Sequence, residues 1–122
     1  MSKVVLLVED NDFIRNMYQL KLAKADFAVV EAIDGKMALD KITEHKPDLI
    51  LLDLMMPNVG GIEVLKELKK TGVLPDMPVI VLTNIMDPQT IAEAKELGAR
   101  DYIVKTDLTP SQVVEKLQPY LK

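Results

Sequence analysis

The sequence predicts an α/β protein: one parallel β-sheet with helices on both of its faces. Five short aliphatic runs alternate with five segments of helical periodicity, and most of those segments carry recognisable end signals. Parallel strands need crossover connections, which are usually helices, so this alternation predicts a single such sheet. At 122 residues we expect one domain spanning 1–122.

The predicted strands are runs rich in Val, Ile and Leu, which suit extended structure. They are "KVVLLV" (3–8), "FAVVEAI" (27–33), "DLILLD" (48–53), "PVIVLT" (78–83) and "DYIVK" (101–105). The third run is almost wholly aliphatic, which is typical of a strand buried on both faces.

The first three helices are predicted from apolar spacing and from residues at their ends. Apolar residues of the first recur at helical spacing: Phe13, Ile14, Met17, Tyr18, Leu20 and Leu22. Asp34 is placed to cap the second helix. The third runs from Gly61 to Gly72, a residue that readily takes the left-handed conformation that ends helices.

The last two helices have clearer start signals. Asp87 and Pro88 fit the N-cap and first position of the fourth helix, which Gly98 closes. Thr109 and Gln112 fit a capping box that opens the fifth. We expect this helix to run nearly to the C-terminus, which favours a stand-alone protein over one with an output domain.

Composition excludes several classes of protein. The absence of Cys excludes disulfides and thiolate metal sites, and it favours a reducing cytoplasm. A net charge of -4 gives no broad field for nucleic acid. The apolar runs are too short to span a membrane. The N-terminal apolar run is also too short for a signal peptide and is followed too early by charged residues. We therefore expect a cytoplasmic protein without direct membrane or nucleic-acid contact.

Polar side chains finish four of the predicted strands. Glu9 and Asp10 end the first, Asp53 the third, Thr83 the fourth and Lys105 the fifth. Ligands of open parallel sheets bind beyond the carboxyl ends of the strands. We therefore expect these five side chains to gather at one edge of the sheet.

Such a set of side chains favours phosphoryl chemistry. Three neighbouring carboxylates repel one another unless a cation lies among them, and oxygen ligands suit Mg²⁺. Asp53 is then the natural nucleophile, because aspartyl phosphate is an established covalent intermediate. Taken singly, each residue is better explained without a site. Asp10 or Asn11 would cap the first helix, the other acids and Lys105 would be solvated strand ends, and Thr83 would be a β-branched strand residue. Their conjunction at four strand ends favours a site.

The sequence resembles the receiver domain of bacterial response regulators, the CheY-like family, along essentially its whole length. The motifs that carry the resemblance are the acidic pair Glu9-Asp10, "DLMMPNVGG" around Asp53, Thr83 at the end of the fourth strand, and Lys105 with Tyr102 three residues before it. The resemblance implies a flavodoxin-like sheet with strand order 2-1-3-4-5.

The resemblance also implies a function and its residues. Asp53 would be the phosphoacceptor, served by a histidine kinase or a histidine phosphotransfer protein. Glu9, Asp10, Asp53 and the backbone carbonyl of Met55 would hold Mg²⁺, and Thr83 and Lys105 would assist the transfer. The protein would then be a phosphorylation-dependent signalling switch, not an enzyme with turnover.

The implied switch consists of Thr83 and Tyr102. Thr83 would move toward the phosphate and Tyr102 would turn inward, which would remodel the face of helix 4, strand 5 and helix 5 for a downstream protein. A phosphoryl group adds charge and acceptor oxygens that reposition neighbouring donors. Tyr102 is also explained as an ordinary half-buried strand aromatic. Homodimerisation on phosphorylation stays open.

The sequence departs from the family pattern at several positions. Thr106 replaces the proline that usually follows the lysine, often through a cis bond; before Thr a cis bond costs about 3 kcal/mol. The loop is therefore either trans and reshaped or strained. Asn84 is larger than the usual residue and would crowd the phosphate. Met55 and Ile85 occupy positions that influence dephosphorylation, and neither can orient water, which predicts a long-lived phosphoryl group.

The first helix predicts a docking site. Its apolar residues span roughly 200° of the helix surface, about twice what one core-facing stripe needs. Phe13 and Met17 are therefore candidates for docking the phosphodonor. The alternative is a helix that is simply deeply packed.

Three other functions are compatible with parts of the pattern. The chain could be a receiver excised from a longer, DNA-binding regulator. A haloacid-dehalogenase-type phosphatase also uses a strand-end Asp with Mg²⁺, but needs a second Asp where Met55 stands. A flavodoxin-like FMN carrier binds phosphate in a first loop rich in Ser, Thr and Gly, whereas "VEDND" is acidic.

Overall fold

The computed structural model describes residues 3–56, 59–74 and 76–121. One sheet of five parallel strands has the order β2-β1-β3-β4-β5. The strands are β1 (Val4–Val8), β2 (Ala28–Ala32), β3 (Leu49–Leu52), β4 (Val79–Thr83) and β5 (Asp101–Val104). The predicted fold class and strand order are therefore confirmed.

Within the described ranges, five α-helices connect and cover the strands. They are α1 (Asp12–Lys24), α2 (Gly35–His45), α3 (Gly61–Thr71), α4 (Pro88–Glu96) and α5 (Pro110–Leu117). The last α-helix is shorter than predicted: a 3₁₀ turn over Gln118–Leu121 follows it, and Lys122 lies outside the described residues. Within the described part of the chain, no helix combines the length and hydropathy needed to cross a membrane.

The predicted helix ends are present. Asp34 Oδ1 accepts from the Met37 N–H at 2.8 Å, and Thr109 and Gln112 form the reciprocal capping box. Gly72 ends α3 at φ 79°. The sequence left open whether Asp10 or Asn11 caps α1, and the structure assigns the cap to Asn11, whose side chain accepts from Ile14. The Asp10 carboxylate is therefore not needed as the cap.

Alternation along the strands builds a core on each face of the sheet. In β1, Leu6 and Val8 pack with residues of α2, α3 and α4, whereas Val5 and Leu7 pack with residues of α1 and α5. Successive strand side chains point to opposite faces, so both faces are apolar and covered. Charged side chains therefore occupy the ends of the strands, and this places the candidate site.

Candidate functional site at the carboxyl edge of the sheet

Strand register brings the acids of the first and third strands together. Val8 of β1 pairs with Leu52 of β3, so Glu9 and Asp53, the residues directly after them, lie side by side at the carboxyl edge. The Asp53 N–H donates to the Val8 carbonyl at 3.1 Å. One carboxylate oxygen from each of Glu9, Asp10 and Asp53 lies within 4.8 Å of the others. Glu9 is 3% and Asp53 5% exposed, whereas Asp10 is exposed to solvent.

Lys105 reaches this cluster from β5. Its ammonium donates to Glu9 Oε1 and, at 3.1 Å, to Asp53 Oδ2. The Lys105 N–H also donates to the Thr83 carbonyl at 2.8 Å, which holds the end of β5 against β4. The described residues contain no cis peptide bond, so the Lys105–Thr106 bond is trans. The lysine therefore reaches the acids without the proline of the family pattern.

Burial and charge act against each other in this cluster. Burial is the largest influence on Glu9 and raises the pKa of its carboxyl group above the usual range; hydrogen bonds from Lys105 and the Asn11 N–H lower it only in part. For Lys105, burial alone would lower the pKa, but the hydrogen bonds and charges of Glu9 and Asp53 outweigh burial and raise it. Lys105 is therefore a permanent cation at neutral pH.

The backbone after β3 is tightly fixed around Asp53. The Met55 N–H donates to Asp53 Oδ1 at 3.2 Å, and the Gly61 N–H donates to the Leu54 carbonyl at 3.2 Å. A Cβ atom at Gly61 would lie 2.4 Å from the Asp53 carbonyl oxygen, which is too close for any other residue. The start of α3 is therefore packed closely against the backbone of Asp53.

Thr83 and Tyr102 are linked through the loop after β4. The buried Thr83 hydroxyl accepts from the Ile85 N–H at 3.5 Å, and the Tyr102 hydroxyl donates to the Ile85 carbonyl at 2.7 Å. Tyr102 is half-buried and packs against the core on the α2–α4 face. Its ring is thus already turned inward and tied to the loop next to Thr83.

Several apolar side chains lie around the cluster. Phe13 is 78% and Met55 63% exposed, whereas Met17 and Ile85 are half-buried. Of the predicted docking pair, Phe13 is therefore accessible, and Met17 packs partly against the α1–α5 core. Asn84 is exposed to solvent. Pro57 and Asn58 of the "DLMMPNVGG" motif lie outside the described residues.

Sequence reasoning missed one residue beside the acids. Arg15 in α1 is largely buried and donates to the backbone carbonyl of Glu9 at 3.0 Å. The available signal was a single arginine four positions after Asn11, among the apolar residues of the first helix.

Comparisons with known proteins agree with this fold. Residues 5–118 match the family model of the response regulator receiver domain. Chemotaxis protein CheY of Thermotoga maritima is 38% identical, and the match covers 100% of both chains. The phosphate regulon transcriptional regulatory protein PhoB of Pseudomonas aeruginosa is 36% identical over 99% of this chain but only 52% of the relative. The chain thus spans one relative fully and about half of another.

Solved structures show the same similarity. A CheY-like response regulator receiver domain protein from Methanospirillum hungatei superposes with a TM-score of 0.91 at 26% identity, covering 99% of this chain and 94% of that one. Vibrio cholerae chemotaxis protein CheY4 gives a TM-score of 0.89 at 31% identity, covering 99% and 100%.

The fold defines an α/β protein of the flavodoxin-like class, with an acidic cluster at the carboxyl edge of its sheet. The chain belongs to the response regulator receiver domain family and is a receiver domain of two-component signalling. Membership of this family favours a signalling switch over the phosphatase and the FMN carrier.

Proposed function

We propose that this receiver domain accepts a phosphoryl group on Asp53 from a phosphohistidine, with Mg²⁺ as cofactor. The observation that carries the proposal is the position of Asp53: the residue is 5% exposed, its carboxylate accepts from the Lys105 ammonium, and it has an oxygen within 4.8 Å of oxygens of two further carboxylates. A buried carboxylate in that position is oriented and desolvated, as a nucleophile needs to be.

The donor set fits Mg²⁺. Glu9, Asp10 and Asp53 offer three carboxylate oxygens within 4.8 Å of each other, against one neighbouring ammonium. A hard cation with oxygen ligands and open positions matches this excess of negative charge. The Met55 carbonyl is proposed as a fourth ligand, because the N–H of the same residue is bound to Asp53. When bound, Mg²⁺ supplies neutralisation of the charge that develops on the phosphoryl oxygens.

The chain's own residues account for the rest of the transfer. A carboxylate oxygen of Asp53 forms the new O–P bond while the P–N bond to the donor imidazole breaks; the imidazole nitrogen keeps the electron pair and takes a proton. Lys105, now within 3.1 Å of Asp53, pairs with an oxygen of the incoming group. Thr83, whose present contact is a long 3.5 Å bond, donates to another.

The switch follows from that last contact. If Thr83 donates to the phosphoryl group, its hydroxyl turns from the Ile85 N–H, and the loop that holds the Tyr102 hydroxyl is repositioned. The face of α4, β5 and α5 then changes for a downstream protein. Thr83 and Tyr102 are therefore proposed as the switch residues.

We propose further features of the whole protein. The domain over 1–122 works in the cytoplasm and receives its phosphoryl group from a histidine kinase or a histidine phosphotransfer protein. The exposed side chain of Phe13 contributes to docking of this phosphodonor protein. The full-length match to CheY favours a regulator that acts through protein contacts. The half-length match to PhoB supports the alternative, a receiver domain within a longer transcriptional regulator. Homodimerisation on phosphorylation is a separate proposal for either case.

The proposed phosphoryl group is long-lived. The side chains of Met55 and Ile85 beside the site are apolar, so neither orients a water for attack on phosphorus. Loss of the phosphoryl group, followed by mass spectrometry after the donor is removed, is expected to take minutes or longer. Loss within seconds would contradict this proposal.

Intact mass spectrometry tests the proposed function. The protein is incubated with acetyl phosphate in Mg²⁺ or in EDTA, and wild type is compared with Asp53→Asn, which keeps the shape of the side chain. We expect one added phosphoryl group only in the wild type with Mg²⁺. An equal mass shift in Asp53→Asn, or none in any sample, would refute the proposal.

A further inference from the structure

Arg15 joins three elements beside the acidic cluster. From α1, its Nη1 donates to the Glu9 carbonyl at 3.0 Å and its Nη2 to Asp12 Oδ1 at 2.6 Å. Its Nε lies 3.3 Å from Glu31 Oε1 of β2. The side chain is only 14% exposed. The planar guanidinium can hold three such acceptors at once, which the single ammonium of a lysine cannot.

The contact with Glu9 fixes the peptide that leads into Asp10. The Glu9 N–H donates to the Ala32 carbonyl at 3.0 Å, and the Glu9 carbonyl accepts from Arg15, so both backbone polar groups of Glu9 are hydrogen-bonded. The bond has a charged donor and is therefore of the stronger kind. Because the Glu9 carbonyl belongs to the Glu9–Asp10 peptide, its direction sets where the exposed Asp10 carboxylate projects.

Two acids hold the Arg15 charge in place. Asp12 binds one end of the guanidinium, and Glu31 Oε1, which is buried, pairs with Nε as an ion pair and not as a well-aligned hydrogen bond. The cation is thereby neutralised and aimed at a backbone carbonyl. It does not pair with the carboxylate cluster, where it would compete with a metal ion.

We propose that Arg15 is a positioning residue of the metal site, which it serves by fixing the Glu9–Asp10 peptide. This inference rests on the proposed Mg²⁺ site. The direction in which Mg²⁺ affinity changes when Arg15 is replaced distinguishes a positioning role from a purely electrostatic one. Removal of a nearby cation should by itself strengthen Mg²⁺ binding, because repulsion is lost. Loss of a positioning contact should weaken it.

The test is a Mg²⁺ titration followed by ¹⁵N–¹H spectra. The Asn11 amide is a direct reporter, because it donates to Glu9 Oε2 at 3.1 Å. We compare wild type, Arg15→Gln, Arg15→Lys and the matched control Lys24→Gln, which removes one positive charge from an exposed position in the last turn of the same helix. Urea unfolding of each variant measures stability separately.

We expect Mg²⁺ affinity to fall about tenfold in Arg15→Gln and by a smaller factor in Arg15→Lys. In Lys24→Gln the affinity should change by less than about twofold in either direction. If Arg15→Gln fails to fold, the Mg²⁺ affinity of Arg15→Lys tests the inference instead. Unchanged or tighter binding in a folded Arg15 variant would overturn the inference, even where urea unfolding shows lower stability. Failure of the wild type to bind Mg²⁺ would instead refute the proposed function.

Discussion

The two halves of the candidate site differ in how firmly the fold holds them. The acid half consists of residues 9–11 and 53–55. Most of the hydrogen bonds that join these residues to one another, to Lys105 and to Arg15 measure 2.9–3.2 Å. The switch half consists of residues 83–86 with Tyr102. Tyr102 anchors this loop through its 2.7 Å bond to the Ile85 carbonyl, but the bond to the Thr83 hydroxyl is 3.5 Å long, and the side chains of Asn84 and Met86 are exposed.

This difference fits the two tasks proposed for the site. Binding a metal ion and positioning a nucleophile require side chains that are already in place. A switch requires a segment with a low cost of rearrangement, since a ligand shifts an equilibrium only by its differential affinity for two states. We therefore expect damage to the acid half to cost stability and metal binding, and damage to the switch half to cost the response.

Lys105→Met should have the largest effect on stability. It leaves the Glu9 and Asp53 carboxylates buried without their cation, which should lower the free energy of unfolding by about 3 kcal/mol at neutral pH without Mg²⁺. Urea unfolding measures this loss. Mg²⁺ should restore more stability in the variant than in the wild type.

The pH dependence of the same variant follows from Glu9. Burial already raises the pKa of its carboxyl group, and loss of the ammonium raises it further. A raised pKa in the folded state gives stability that is present at low pH and lost as pH rises through that pKa. Lys105→Met should therefore regain stability between neutral pH and pH 5 relative to wild type. A variant equally destabilised at both pH values would contradict this.

Gly61→Ala should be next in size. The new Cβ would lie 2.4 Å from the Asp53 carbonyl oxygen, so α3 or the Asp53 backbone must shift, at about 1–3 kcal/mol in urea unfolding. The control is Gly60→Ala, whose Cβ would lie 3.5 Å from the nearest backbone oxygen and which should cost within about 1 kcal/mol. Equal losses in the two variants would show that the approach of α3 to Asp53 is not tight.

Thr83→Val should affect the switch half with little loss of stability. The shape is conserved in a fully buried position, and the lost hydrogen bond is long, so the free energy of unfolding should change by less than about 1 kcal/mol. After acetyl phosphate treatment, ¹⁵N–¹H signals around Tyr102 should shift in the wild type and stay in place in the variant. Equal shifts in both proteins would remove Thr83 from the switch.

Tyr102→Phe should have the smallest effect. It removes the hydroxyl that donates to the Ile85 carbonyl at 2.7 Å but keeps the ring, so the cost should be about 1 kcal/mol or less. Phosphorylation, read by intact mass, should proceed as in the wild type. A variant that no longer accepts phosphate would place Tyr102 in the acid half.

The sequence was sufficient to predict the fold because its hydrophobic periodicity and its helix-capping residues indicate the same element boundaries. Asp34, Asp87 and Thr109 start their helices as predicted, and each strand end lies within one residue of a predicted run. Strand ends also predicted which acids meet, since parallel strands share one carboxyl edge. Strand order came only from family resemblance, because many orders satisfy the same alternation.

Details that depend on three-dimensional reach were not predictable. The sequence could not decide whether Lys105, followed by Thr106, reaches the acids, because that depends on the loop conformation. The position of Arg15 among apolar residues did not by itself show that it contacts Glu9 and Glu31, because residue 31 meets α1 only once β2 pairs with β1. The width of the apolar stripe on α1 did not show which residues are free, and the structure leaves Phe13 exposed and Met17 packed.

The central claim is that Asp53 is the residue that carries the phosphoryl group. Wild-type protein treated with acetyl phosphate and Mg²⁺ is reduced with borohydride, which converts an aspartyl phosphate to homoserine, and digested for tandem mass spectrometry. We expect homoserine at position 53 alone, and none when Mg²⁺ is replaced by EDTA. Homoserine at position 10 or 12, or at position 53 regardless of Mg²⁺, would contradict it.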